Sequence, residues 1–269
     1  MSRRLFITGG WGYVGRGIVR AATASGWMVF EPKHGELDVR DEQATRQAIT
    51  ASRSDVVIHA AYRASGPDTW TTNVDGTASV ARAAVTAGAR FIHFSTDIVF
   101  PGRTTAYTED VEPGPINDYG RSKTAAEKAV LLIAPQAAIV RTSVLYSVEH
   151  VGPTGEAILA AALGHADTTF YTDEVRSFTH IDDLVSSTMD LCYHDYAGVL
   201  HVAGPEPVSR YDFAVRFARR NGISPAKLKG DLTPPHGPPR PNHVVLDSGR
   251  AGGLLTTRLR GVTELLGAP

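Results

Sequence analysis

Tyr119 and Lys123, in the run Tyr119-Gly120-Arg121-Ser122-Lys123, are the two residues of this chain best suited to move a proton. On a helix, positions i and i+4 share a face. A free tyrosine, with a pKa of about 10, is a poor acid–base group at neutral pH. A neighbouring ammonium favours the phenolate and lowers that value, so the pair is expected to pass a proton to or from a carbinol oxygen. The nine tyrosines and five lysines of the 269 residues give roughly 0.17 such pairs by chance. The spacing therefore needs support from its surroundings. Ser95-Thr96-Asp97 follows an apolar run and offers hydroxyls that can hydrogen-bond the same oxygen, although Ser-Thr after a strand is commonly only a cap or turn.

A third feature is Thr8-Gly9-Gly10-Trp11-Gly12-Tyr13-Val14-Gly15, between a short apolar run and an amphipathic stretch. Small residues let a backbone approach a pyrophosphate, and a helix N-terminus supplies unpaired N–H groups with a positive dipole. The glycines at 9, 12 and 15 are three apart, unlike Gly-x-Gly-x-x-Gly.

The elements that must carry these residues alternate. Strands are expected at Leu5–Thr8, Met28–Phe30, Asp55–His59, Arg90–Ser95 and Ala138–Thr142. Helices are expected at Tyr13–Ser25, Glu42–Ala51, Asn73–Ala87 and Tyr119–Ile133. Continuous β-branched runs suit strands buried on both faces, and repeated βα units mean an α/β fold with a doubly wound parallel sheet. In such sheets ligands bind at the carboxyl edge, where Gly9 and Thr96 would both lie. After about residue 145 the rhythm loosens. Helices near Ile181–Leu191 and Tyr211–Arg220 remain clear, the second with Ser209 and Asp212 as an acidic capping box. The stretch Thr233-Pro234-Pro235-His236-Gly237-Pro238-Pro239-Arg240-Pro241 is stiff and reads as a surface loop, with a wall of a substrate pocket as the functional alternative.

Composition narrows the functions. The net charge of −1 gives no basic footprint for a nucleic acid or an anionic membrane. The single cysteine, Cys192, excludes an internal disulfide and a Cys-rich zinc site, and its apolar neighbours mark a buried thiol. No histidine pair has metal-binding helical spacing, so no metal is expected. No apolar run approaches the roughly 18 residues of a membrane span, and the apolar start ends at Gly9, too short for a signal peptide. The expected location is the cytoplasm.

Together these motifs resemble the extended short-chain dehydrogenase/reductase superfamily and, within it, the dTDP-4-dehydrorhamnose reductase family. The likeness also rests on Leu37-Asp38-Val39-Arg40-Asp41, His59-Ala60-Ala61-Tyr62, Ser95-Thr96-Asp97-Ile98-Val99-Phe100-Pro101-Gly102, Arg141-Thr142-Ser143, Val202-Ala203-Gly204, and Arg240-Pro241 ahead of Leu246-Asp247. The resemblance implies a Rossmann domain over residues 1–145 and a smaller, mainly substrate-binding lobe over 146–269, from which a segment such as Asp173–Arg176 threads back. It implies Tyr119 as proton donor, Lys123 as its tuner and ribose anchor, and Thr96 as polariser of the substrate oxygen. Gly9, Gly12, Tyr13, Val14, Gly15, Lys33, Asp38, Val39, Ala60, Ala61, Tyr62 and Lys123 are the expected cofactor contacts. Asp97, Val144, Arg176 and Arg240 are the expected substrate contacts.

The implied activity is NAD(P)H-dependent reduction of a keto group, on a nucleotide-linked 4-keto-6-deoxysugar. Two departures fall on the substrate side: Val144 where the family usually has Trp, and Arg63-Ala64-Ser65-Gly66-Pro67 where it has a charged stretch. Related dehydratases place Glu after Thr-Asp as a base, and Ile98 cannot serve. A sugar-nucleotide epimerase and a non-catalytic dinucleotide-binding regulatory subunit are the alternatives, and a homodimer stays open. NADPH is expected over NADH, because Lys33 and His34 follow the second strand and Arg16 opens the first helix. If that strand ends at Phe30, however, Glu31 takes the acidic role that favours NADH.

Overall fold

The computed structural model describes residues 2–103, 105–237 and 239–268. Its centre is a six-stranded, wholly parallel sheet. The first part of the chain supplies β1 (Arg4–Thr8), α1 (Tyr13–Ala24), β2 (Met28–Phe30), α2 (Glu42–Ser52), β3 (Val56–His59), α3 (Thr77–Thr86), β4 (Arg90–Thr96), α4 (Asp118–Ile133) and β5 (Ala138–Thr142). The later part adds β6 (Leu145–Tyr146), α5 (Pro153–Leu163), β7 (Thr169–Tyr171), β8 (Val175–Ser177), β9 (Thr179–His180), α6 (Ile181–Tyr193), β10 (Gly198–His201), β11 (Pro207–Ser209), α7 (Arg210–Arg220), β12 (Lys229–Asp231), β13 (His243–Val244), α8 (Gly249–Leu254) and α9 (Val262–Leu266).

Strand order in the central sheet is β2-β1-β3-β4-β5-β10. The chain leaves β1 outward to β2 and returns on its other side with β3, so the crevice beyond the ends of β1 and β3 is the topological switch point. Both faces are covered. Leu5, Ile7, Val56 and Ile58 pack toward α1 and α6, while Phe6, Val57, Phe91 and Ile139 pack toward the side of α2, α3 and α4. This two-sided burial is what the unbroken apolar runs require. Close packing of α1 on α6 needs Gly17, since a Cβ there would stand 2.7 Å from Val185 Cγ2.

The lobe has its own apolar cluster around Tyr146, Phe178, Phe213 and Phe217, with the Phe178 and Phe213 rings stacked 3.8 Å apart. The segment that returns to the central sheet is α6 with β10, rather than Asp173–Arg176, whose residues 175–177 instead form a small sheet with β11 and β13. The physical reason is the apolar stripe Leu184, Val185 and Leu191, which needs the covered face that α1 and the central sheet offer.

One helix departs from expectation. The stretch expected as a helix over Asn73–Ala87 opens as a π turn over Thr71–Gly76 and becomes α-helical only at Thr77. Such turns commonly mark working sites. Here it carries the buried Asn73 amide, which donates to Arg63 O at 2.8 Å and to Ser122 Oγ at 2.9 Å. The Ser209–Asp212 cap forms as expected, with Asp212 N donating to Ser209 Oγ at 3.0 Å. Cys192 is buried and its thiol is pushed up to about 12 by burial.

Candidate active site

At the switch point the glycine turn is shaped by clearance. Gly9 has φ +74°, and a Cβ there would lie 2.6 Å from Ala61 N. At Gly15 a Cβ would lie 2.1 Å from Gly9 O, so the helix seats directly on the turn. Gly12 caps α1 without any side-chain bond, leaving the first-turn N–H groups unpaired. Beside them runs a groove of about 400 Å³ lined by Thr8, Gly9, Gly12, Asp38, Val39, Ala60, Ala61 and Tyr62. An elongated anionic dinucleotide fits this cradle, because the bare turn and the first-turn N–H groups of α1 face the groove, while a Cβ at Gly9 or Gly15 would collide with the neighbouring backbone and spread the turn. His34, expected beside the cofactor with Lys33, lines the groove too, as do Trp11, Pro32, Leu37, Arg63 and Thr72, which sequence reasoning did not single out for it.

Several expected contacts are refined. The Tyr13 ring turns away to α5, packing where a Cβ on Gly152 would meet it at 2.3 Å, and Val14 packs into the apolar core. What these two residues keep for a ligand is backbone. The Asp38 carboxylate is held at about 2 by its hydrogen bonds with Arg40. Strand β2 does end at Phe30, and Glu31 stands against Gly10. Lys33 is exposed, with its ammonium 4.8 Å from the centre of the Trp11 ring.

One element along, β4 ends at Thr96 and α4 begins at Asp118. The Asn117 side chain caps α4 by accepting from Gly120 N at 2.8 Å. The cap brings Tyr119 beside Thr96, and the Tyr62 ring lies 6.0 Å from that of Tyr119. Gly120 is required here, since a Cβ would stand 2.4 Å from Ile98 O. The expected trio therefore meets at one sheet edge, next to the groove.

Its electrostatics differ from the sequence expectation. The Tyr119 phenol is raised well above its ordinary value, by burial first and then by the Tyr62 and Asp97 charges, with a hydrogen bond from Thr96 opposing. The Lys123 ammonium does not offset this, because it points to Phe94 O at 2.6 Å and to His93 Nε2 at 3.3 Å. Burial lowers Lys123 to about 8. Tyr119 thus stays protonated at neutral pH, the state a proton donor needs.

Asp97 is buried and accepts from Ser143 Oγ at 2.6 Å and from Thr96 Oγ at 3.2 Å. Arg176 lies 3.7 Å from it. Burial leaves the Arg176 side chain without an open face for the substrate contact expected of it. Its side chain is 0% exposed, and its terminal nitrogens are spent on Glu174, Val175 O, Pro241 O and Asn242 O. Arg240, about half exposed, donates to Glu174 at 3.1 Å. Arg210 completes the group at 3.0 Å from Glu174. Val144 is half-buried and its carbonyl accepts from Thr179 N at 2.9 Å. The proline-rich stretch reaches the site, with Asn117 Nδ2 donating to Pro239 O at 3.4 Å; its Pro238 lies outside the described residues. Away from the cleft, Glu149, His180 and Asp182 bring ligand atoms within 4.8 Å of one another, but Arg260 stands 3.0 Å from His180 Nδ1 and opposes a cation there.

A parallel sheet with a glycine cradle at its switch point and a Thr–Tyr–Lys trio on the adjacent strand and helix defines an NAD(P)-dependent oxidoreductase of the extended short-chain type. The model of the RmlD substrate binding domain matches residues 3–266, and the chain belongs to that family. It is 34% identical to dTDP-4-dehydrorhamnose reductase of Mycolicibacterium smegmatis, over 99% of this chain and 84% of the relative. It is 29% identical to methionine adenosyltransferase 2 subunit beta of Rattus norvegicus, over 91% of this chain and 80% of that one. Among solved structures, the Bacillus anthracis dTDP-4-dehydrorhamnose reductase in complex with NADP superposes with a TM-score of 0.89 at 24% identity, covering 99% of this chain and 97% of that one. No helix among the described residues is long and apolar enough to cross a membrane.

Proposed function

We propose that the protein reduces the keto group of a nucleotide-linked 4-keto-6-deoxysugar, with NADPH preferred and NADH accepted. The observation that carries this is a half-buried Tyr119 beside Thr96, its phenol held above the ordinary value, on the sheet edge that also bears the groove. When bound, the cofactor supplies a hydride. Tyr119 gives its phenolic proton to the substrate oxygen as negative charge develops there, and the Thr96 hydroxyl, released from Asp97, donates to the same oxygen. Lys123 holds the ribose. Asp97, fixed by Ser143 and Arg176, holds the Thr96 hydroxyl until the substrate oxygen takes it over. β2 ends at Phe30, the ending at which Glu31 takes the acidic role and favours NADH; against it, Lys33, His34 and Arg16 favour a 2′-phosphate and the Bacillus anthracis relative binds NADP.

Support for the substrate class comes from the reductase relatives. The likeness to methionine adenosyltransferase 2 subunit beta favours a second reading, a dinucleotide-binding subunit without turnover of its own. A screen of NADPH oxidation against nucleotide-linked 4-keto sugars separates these. Stoichiometric loss of NADPH with one of them supports the reductase, and cofactor binding without turnover supports the subunit. Assembly as a homodimer belongs to the same proposal and is checked by light scattering.

A further inference from the structure

Lys123 ends a buried row of polar side chains that starts at Thr8, the residue before the glycine turn. His93 is fully buried and stacks on His59, its cross-strand partner, with ring centres 5.4 Å apart and planes 22° apart. The partners of His59 fix its proton. Thr77 Oγ spends its hydrogen on Asn73 O at 2.6 Å, so His59 Nε2, 3.0 Å from that oxygen, must donate. Nδ1 is then the acceptor for Thr8 Oγ at 2.6 Å. His59 is neutral and immobile, and its ring fixes the plane of His93. A lysine ammonium has donors only. His93 must therefore turn a lone pair at Nε2 toward Lys123, 3.3 Å away, and keep its proton on Nδ1, which is buried without a partner among the described residues.

We propose that His93 is a positioning residue for Lys123: as the neutral Nδ1–H tautomer it fixes the ammonium together with the Phe94 carbonyl, leaving the third N–H for the cofactor ribose. The inference rests on the reductase reading of Lys123. The titratable groups facing this pair are His59 from β3, Glu127 one turn along α4, and Tyr119 on the same helix face. Glu127 is itself paired with Arg141 at 2.7 Å. Removing the Nε2 acceptor leaves the charged form of Lys123 with one partner fewer, so it should discharge at lower pH.

The test measures kcat and the KM for NADPH against pH in the parent, His93→Leu and His93→Gln, each checked for a cooperative melt. His93→Leu should lower kcat at neutral pH about tenfold and move its alkaline limb down by about half a pH unit or more. His93→Gln, whose Oε1 reaches the Nε2 position, should bring the limb back. A folded His93→Leu with an unmoved limb overturns the proposal, since a purely structural role would lower only the melting temperature. Long-range proton–nitrogen NMR on the histidine-labelled parent gives a readout without turnover. The proposal expects Nδ1–H on His93 and Nε2–H on His59. Nε2–H on His93 overturns it, whether or not any keto sugar is reduced.

Discussion

On the dinucleotide side of the cleft the backbone does the recognising. Gly9, Gly12 and Gly15 strip side chains from the turn, α1 offers unpaired N–H groups, and Ala60 and Ala61 sit within van der Waals reach of Gly9. On the other side of the cleft, paired side-chain charges hold the structure together. Glu174, 2% exposed, gathers Arg176, Arg210 and Arg240 from three separate elements, and Arg176 links them to Asp97. A backbone cradle tolerates no added atom, and a charge cluster tolerates no missing partner. The two sides should therefore fail in different ways.

The largest loss should come where the two sides meet. Tyr119→Phe keeps the ring but removes the proton, so kcat should fall about 10²–10⁴-fold while cofactor affinity barely changes. Activity within a few-fold of the parent would remove Tyr119 from the mechanism. Next, Arg176→Met strips Glu174 and Asp97 of a buried partner and should destabilise the fold by about 3–5 kcal/mol in denaturant titration. Arg240→Met, at a half-exposed position, should shift that midpoint by less than about 1 kcal/mol and raise the substrate KM instead. Equal shifts for the two would mean that Glu174 does not organise the cluster.

On the other side, Gly9→Ala forces an L side chain to φ +74° against Ala61. Strain of about 1–3 kcal/mol should weaken cofactor binding roughly 5–150-fold. Isothermal titration reads this directly, and unchanged affinity would contradict the clearance argument. The pH response joins both sides. With Lys123 lowered to about 8, raising the pH through that value discharges it, and kcat should fall. Its contribution to stability runs the opposite way. The unfolded lysine keeps its proton up to about pH 10.4, so the folded state gains from about pH 8 upward. Melting temperature against pH, compared with Lys123→Met, tests that sign. The smallest effect should be Lys33→Ala, which loosens NADPH a few-fold more than NADH. A tighter grip on NADH in the parent would mean that Glu31 governs the ribose.

Legibility followed the same division. Strands β1 to β5 and the glycine turn read directly from contiguous residues, because a buried parallel strand and a close backbone approach each leave a local signature. Tyr119, Lys123 and Thr96 were also legible, from helical spacing and position after a strand. The π turn over Thr71–Gly76 was not, since nothing in its composition separates it from the helix it opens. Glu174 and Arg210 were missed, because their roles, like that of Arg176, come from partners up to 79 residues apart. His59 and His93 looked like scattered histidines until β3 and β4 paired them.

The central claim is that this cleft moves a hydride to a sugar carbon with Tyr119 supplying the proton. It is tested most directly with NADPH deuterated at the hydride-donating carbon and a nucleotide-linked 4-keto-6-deoxysugar, followed by mass and NMR analysis of the product. The account predicts one deuterium on the new carbinol carbon for each NADPH consumed, with the deuterated product forming about 10²–10⁴-fold more slowly in Tyr119→Phe. An isomerised sugar without deuterium and with the cofactor unspent would contradict it, as an epimerase would give.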